Sequence, residues 1–134
     1  MKALYLDVCV LCRSFDDQNQ LRIRLETDAL FLILRRIEIG NYHAIISPVH
    51  YKEVSEIREV SERVSLESLL QRLDKSHYYD FIKARQRAEN LVNLGLGIAD
   101  AAHIAFAEQA ADFFITCDDK LTAILILKNY RLFN

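Results

Sequence analysis

The sequence predicts an α/β fold in which helices cover both faces of a small parallel sheet. Three observations lead there. Short apolar runs at residues 3–10, 43–46 and 112–116 have the character of buried strands. Stretches with helical periodicity separate them, and strands separated by helices pair in parallel through crossovers. Finally, three Gly and one Pro in 134 residues are too few for an all-β fold built on tight turns.

The first run, Ala3 to Val10, is apolar apart from Asp7 and reads as a strand. A helix is expected from Gln20 to Ile39, where Leu21, Leu25 and Leu32, and again Leu30, Phe31, Leu34 and Ile37, recur at helical spacing. Gly40 is placed to end it. His43 to Ile46 is the second strand. Ser47 and Pro48 open a helix to about Arg58, with Ser as N-cap and Pro in the first turn. A further helix is expected from near Ser65, with Leu66, Leu69, Leu70 and Leu73 on one face. Others are expected at Tyr78 to Leu94, before Gly95, and at the Ala-rich segment Ile98 to Ala110. Asp112 to Thr116 is the third strand, Asp118 to Lys128 the last helix, and Tyr130 to Phe133 a closing strand. The whole length, 1–134, fits one domain, and its 51% apolar content supplies a core without staples.

Composition excludes several classes. The formal net charge is −2, so the chain is no generic polyanion binder, and contact with nucleic acid requires a local patch or bound cations. An acid as early as Asp7 leaves no room for the apolar stretch of a signal peptide, and no apolar run is long enough to span a bilayer. A cytoplasmic location is expected. Cys9, Cys12 and Cys117 are an odd number, against a disulfide framework. No second pair of soft ligands accompanies Cys9 and Cys12 at zinc spacing, so all three read as free thiols.

In parallel α/β sheets, sites form outside the carboxyl ends of the strands. Four acids stand where they can reach that edge. Asp7 lies in the first strand, and Asp118 follows Phe113-Phe114-Ile115. Asp100 sits in the first turn of the Ala-rich helix, and Glu53 about one and a half turns into the Ser47-capped helix. Each has a plainer use. Asp7 can bond backbone N–H groups, Asp100 suits a helix dipole, and Asp118 suits an N-cap. Glu53 can be one more solvated acid beside Glu56, Glu59 and Glu62. Gathered together, the acids repel unless cations or protons are shared among them. Oxygen ligands favour Mg²⁺ or Mn²⁺. Such ions activate water and stabilise the oxyanions of a phosphodiester under in-line attack.

Four segments carry a family resemblance: Tyr5-Leu6-Asp7, Ser47 to Ile57 (SPVHYKEVSEI), Ile98 to Ala107 (IADAAHIAFA) and Phe114 to Lys120 (FITCDDK). Arg13-Ser14-Phe15-Asp16-Asp17 adds to them. In this order, over essentially the whole chain, the sequence resembles a PIN domain of the VapC-like toxin branch. The resemblance implies a Rossmann-like three-layer α/β/α sandwich with a central parallel sheet. It further implies a Mg²⁺- or Mn²⁺-dependent endoribonuclease, the toxin of a type II toxin–antitoxin pair. Homodimers and a small antitoxin, inserting a peptide near the acidic site, are the implied partners. By position the metal-binding and catalytic acids are Asp7, Glu53, Asp100 and Asp118. Thr116 is the hydroxyl beside them, and Asp119 a weaker outer contact. Val8-Cys9 stands where the family often has a small polar residue followed by Asn or another polar residue, and Ser14 stands where this branch often has Pro.

Other residues keep two uses. His103, three after Asp100 on the same helix face, is expected to be a packed structural His rather than a ligand or base. His43, His50 and His77 are expected at the surface or in structural roles. Arg13 can approach a scissile phosphate, but an ion pair with Asp16, Asp17 or Glu26 is the stronger expectation. The pairs Arg22/Arg24 and Arg35/Arg36, and the group Lys83/Arg85/Arg87, read as solvated faces, and Tyr78-Tyr79 as packing aromatics rather than base-stacking ones. A non-catalytic binding module of the same fold is the alternative reading. A receiver domain lacks its acidic pair and acceptor Asp here, and Asp7-Val8-Cys9 breaks an Asp-x-Asp motif.

Overall fold

The computed structural model describes residues 1–127. The chain runs β1 (Lys2–Leu6), α1 (Val8–Leu11), a 3₁₀ turn (Arg13–Phe15), α2 (Leu21–Glu38), β2 (Tyr42–Ala44) and α3 (Pro48–Ser55). It continues through α4 (Val60–Leu73), α5 (Phe81–Asn93), α6 (Ile98–Ala110), β3 (Phe113–Ile115) and α7 (Asp119–Leu127). The expected strand at Tyr130 to Phe133 falls outside the described residues.

The described strands form one parallel sheet in the order β2-β1-β3. Lys2 lies opposite Tyr42 and Leu4 opposite Ala44; on the other side Leu4 lies opposite Phe113 and Leu6 opposite Ile115. β1 is therefore central, and its side chains alternate between two cores. Leu4 and Leu6 pack with Leu30 of α2, Val54 of α3, and Leu66 and Leu70 of α4. Ala3 and Tyr5 pack with Ala84 of α5 and with Ala105, Phe106 and Ala107 of α6. A third group joins Leu91, Leu96, Ala101 and Ile104 to Leu121 of α7. Helices cover both faces of β1, which explains why its residues are buried on both sides and read as one apolar run.

Local chemistry sets the boundaries. Gly40 (φ +91°) and Gly95 (φ +107°) take the left-handed conformation that ends α2 and α5. Ser47 caps α3, its hydroxyl accepting from the Val49 N–H at 3.2 Å, and Pro48 is the first helical residue. His50 completes a reciprocal cap: its Nδ1 accepts the Ser47 N–H at 3.0 Å, while its Nε2–H donates to the Leu6 carbonyl at 2.7 Å. One imidazole thus ties the start of α3 to the end of β1, as a structural role for His50 requires.

Several boundaries differ from the sequence expectation, β2 and the end of α3 among them, and three have a clear physical reason. The first strand does not reach Val10. The Asp7 N–H makes the last bond to β3, at the Ile115 carbonyl (2.9 Å). Val8 to Leu11 then close a helical turn, with Val10 N–H donating to the Asp7 carbonyl at 2.9 Å. Val8, Val10 and Leu11 are buried in either form, so apolar character alone could not separate them. Helix α4 starts at Val60 rather than near Ser65, because Glu59 caps it by accepting from the Ser61 and Glu62 N–H groups. Helix α5 starts at Phe81, capped by Asp80, and leaves Tyr78 and Tyr79 in the preceding loop. Tyr79 is buried and donates to the Ile46 carbonyl at 2.7 Å, whereas Tyr78 is exposed.

His50 gives the fold a pH dependence. Burial lowers its pKa from 6.5 to about 4, with the nearby His103 adding to the effect. The unfolded chain therefore takes up this proton first. Stability is unaffected by His50 above about pH 6.5 and falls as the pH drops from there to about 4. Over that window the loss amounts to the order of 3 kcal/mol. Urea denaturation of the parent and of His50→Gln at stepped pH should show this component of the acid loss in the parent and not in the variant.

Candidate metal centre

The carboxyl ends of β1 and β3 bring Asp7 and Asp118 side by side. Thr116, just past β3, links them: its hydroxyl donates to Asp7 Oδ2 at 2.8 Å and accepts the Asp118 N–H at 3.1 Å. Asp118 also caps α7, its Oδ1 accepting the Leu121 N–H at 3.1 Å. Asp7 is 6% exposed, so its charge lives on what the surrounding elements donate. Cys9 is a further donor, its thiol 3.4 Å from Asp7 Oδ2. Burial, reinforced by the Asp7 charge, pushes the Cys9 pKa up to about 12, which keeps the sulfur protonated and able to donate. Cys9, at a position where Asn or another polar residue was expected, thus still supplies a hydrogen-bond donor.

The helices bring the rest. Helix α6 starts at Ile98, so Asp100 stands in its first turn. Burial raises the Asp100 pKa, and the charges of Asp7, Asp118 and Glu53 raise it further; His103 acts in the opposite direction. Asp7, Asp118 and Glu53 thus all act on Asp100. On α3, Glu53 rather than Glu56 faces this group. Glu53 Oε1 is hydrogen-bonded to His103 Nε2, whereas Glu56 is exposed and ion-paired to Lys52 at 3.1 Å. The His103 bond, more than any other influence, holds the Glu53 carboxyl below the usual range. His103 Nε2 also lies 3.8 Å from Asp7 Oδ1.

Asp7, Glu53 and His103 offer ligand atoms that all lie within 4.8 Å of one another. Two carboxylates and an imidazole can hold a divalent cation, and crowded, half-buried carboxylates of this kind are stabilised by one. His103 is 1% exposed, as a packed His should be, yet it also belongs to this group.

Other sequence candidates are engaged elsewhere. The Arg13 guanidinium pairs with Asp16 at 2.9 Å and Glu26 at 3.1 Å, the ion pair that its neighbours suggested. Asp119 accepts two bonds from Arg22 of α2, at 2.5 and 2.8 Å, and is not part of the acidic group's hydrogen bonding. Arg35, Arg85 and Arg87 pair with Glu38, Glu89 and Glu108. Sequence reasoning missed the link from Glu53 through His103 to Tyr5, whose hydroxyl is 2.5 Å from His103 Nδ1. One signal was present: a Tyr in an apolar strand beside Asp7 needs a buried partner for its hydroxyl.

Comparison with family models, curated proteins and solved structures finds no match to this chain. No helix among the described residues is long and apolar enough to cross a membrane.

Two substitutions separate support from repulsion. Thr116→Val removes a donor from Asp7 and an acceptor from Asp118, and should cost about 1–3 kcal/mol in urea denaturation. Asp100→Asn removes a charge that the fold disfavours. The raised pKa means that ionised Asp100 opposes folding, so without added metal this variant should melt at or above the parent temperature at pH 7.

Proposed function

We propose that the chain is a divalent-cation-dependent endoribonuclease of the PIN type, the toxin of a type II toxin–antitoxin pair. The observation that carries this reading is the group of Asp7, Glu53 and His103 at the carboxyl end of β1, with Asp7, Asp118 and Glu53 all acting on Asp100. The parallel sheet with helices on both faces accords with the Rossmann-like three-layer arrangement that the resemblance implies.

In this reading Asp7, Glu53, Asp100 and Asp118 hold Mg²⁺ or Mn²⁺. Such an ion supplies the means to activate water and to neutralise charge developing on a phosphodiester. The protein's own part is orientation. Thr116 fixes Asp7 and the backbone of Asp118, and Cys9 is a second donor to Asp7. With Arg13 already paired, and a net charge of −2, neutralisation of the scissile phosphate falls to the cation. Exposed Leu21, Leu25 and Leu32 on α2 offer apolar area to a second copy or to an antitoxin.

Purified protein should cleave single-stranded RNA with Mg²⁺ or Mn²⁺ and stop when EDTA is added. Asp7→Asn and Asp100→Asn should each lose more than the roughly 10–100-fold that removal of an outer-shell partner costs a metal site. Undiminished cleavage by Asp100→Asn would place the chemistry elsewhere. Absence of cleavage with either metal, over a range of RNAs, would favour a binding module.

A further inference from the structure

A line of hydrogen bonds runs from the core to the acidic group and has no place in the reading above. Tyr5, on the central strand, is 0% exposed, and its hydroxyl lies 2.6 Å from Ser47 Oγ and 2.5 Å from His103 Nδ1. His103 Nε2 meets Glu53. Strand β1, the N-cap of α3, the second turn of α6 and the second turn of α3 are thus joined through side chains alone.

For a neutral His103, donor and acceptor capacities fix the direction of the line. The Leu6 carbonyl can only accept, so His50 carries its proton on Nε2 and its Nδ1 is an acceptor, already used by the Ser47 N–H. Ser47 Oγ accepts from Val49 N–H and has its own proton free to give to Tyr5. Tyr5 then gives its proton to His103 Nδ1, which leaves the His103 proton on Nε2. That N–H points at Glu53, a carboxylate, with Asp7 Oδ1 3.8 Å away. The reverse direction would set a bare Nε2 lone pair against two carboxylates, and would send a second donor to the His50 Nδ1.

We propose that His103 is a positioning residue for Glu53, and that Tyr5, backed by Ser47, sets its tautomer. The inference rests on the metal-centre reading above and names the means by which Glu53 is held for the cation. Glu53 needs such a tether. It is the one acid of the group borne on α3, and its side chain is 34% exposed, free to swing toward solvent without the bond to His103. Groups that orient a ligating carboxylate in this way change metal affinity without touching the metal.

The test has two independent parts on the full chain. In the metal-free parent, long-range ¹⁵N–¹H correlation should find the His103 proton on Nε2 and a bare Nδ1, and Tyr5→Phe should erode that preference. A proton on Nδ1 in the parent overturns the proposal. The second part measures Mn²⁺ affinity by EPR in the parent, His103→Gln and His103→Leu, each checked for folding by its melting curve. Gln keeps an N–H donor near the Nε2 position and Leu does not. Leu should weaken binding by about 10–100-fold, and Gln should restore most of it. Equal affinity in Leu and parent overturns the positioning role. So does ¹⁴N coupling to bound Mn²⁺ that vanishes with His103, since it would make the residue a ligand. Failure of the parent to bind Mn²⁺ would instead bring down the metal-centre reading itself, a result distinct from either.

Discussion

A carboxylate at the end of a central, doubly covered strand has to be satisfied by whatever the neighbouring elements bring to it. Asp7 is such a group, 6% exposed between β2 and β3, and much of the local architecture follows from its needs. The strand stops at Leu6 because Asp7 begins the next helical turn with its carbonyl. The β3 end supplies Thr116, and the new turn supplies Cys9, both as donors to the same oxygen. On the open side Asp7 meets other acids rather than cations. An isolated buried charge would be costly. A group of them persists where cations bind or protons are shared, and the proposed cation site is one way to meet that need.

The arginines reinforce that view by where they are. Arg13, Arg22, Arg35, Arg85 and Arg87 each have a carboxylate partner, mostly on the surface. Such exposed pairs contribute little to stability, but they do occupy the guanidinium groups that a phosphate would otherwise attract. Among the described residues, His103 is the imidazole bonded to the acidic group, meeting Glu53 and lying near Asp7, and its other nitrogen is committed to Tyr5.

Much of this was legible in the residues. Helix α6 runs from Ile98 to Ala110 as its Ala-rich pattern indicates, and α3 starts at Pro48 because Ser-Pro is both cap and first turn. The alternation of strand and helix predicted a parallel sheet, and Asp7, Asp100 and Asp118 were placed at its carboxyl edge by element position alone. What was not legible depended on three-dimensional partners. Nothing local tells that Val8 to Val10 lack a neighbouring strand to extend the ladder. Glu53 and Glu56 are both good helix residues, and only the proximity of α6 separates one bonded to His103 from one paired with Lys52. Glu59 and Asp80 acted as caps where a periodic pattern showed only helix interiors still to come. His103 was correctly read as packed, but the spacing from Asp100 could not reveal that its two nitrogens join Tyr5 to Glu53.

The central claim is that these acids are gathered to hold a divalent cation, and locating such an ion tests it most directly. Crystals grown with Mn²⁺ would show it in an anomalous difference map. A peak in contact with the Asp7 carboxylate, with Glu53, Asp100 and Asp118 around it, is the expected result. Ordered carboxylates with no anomalous density among them at saturating Mn²⁺ would contradict it.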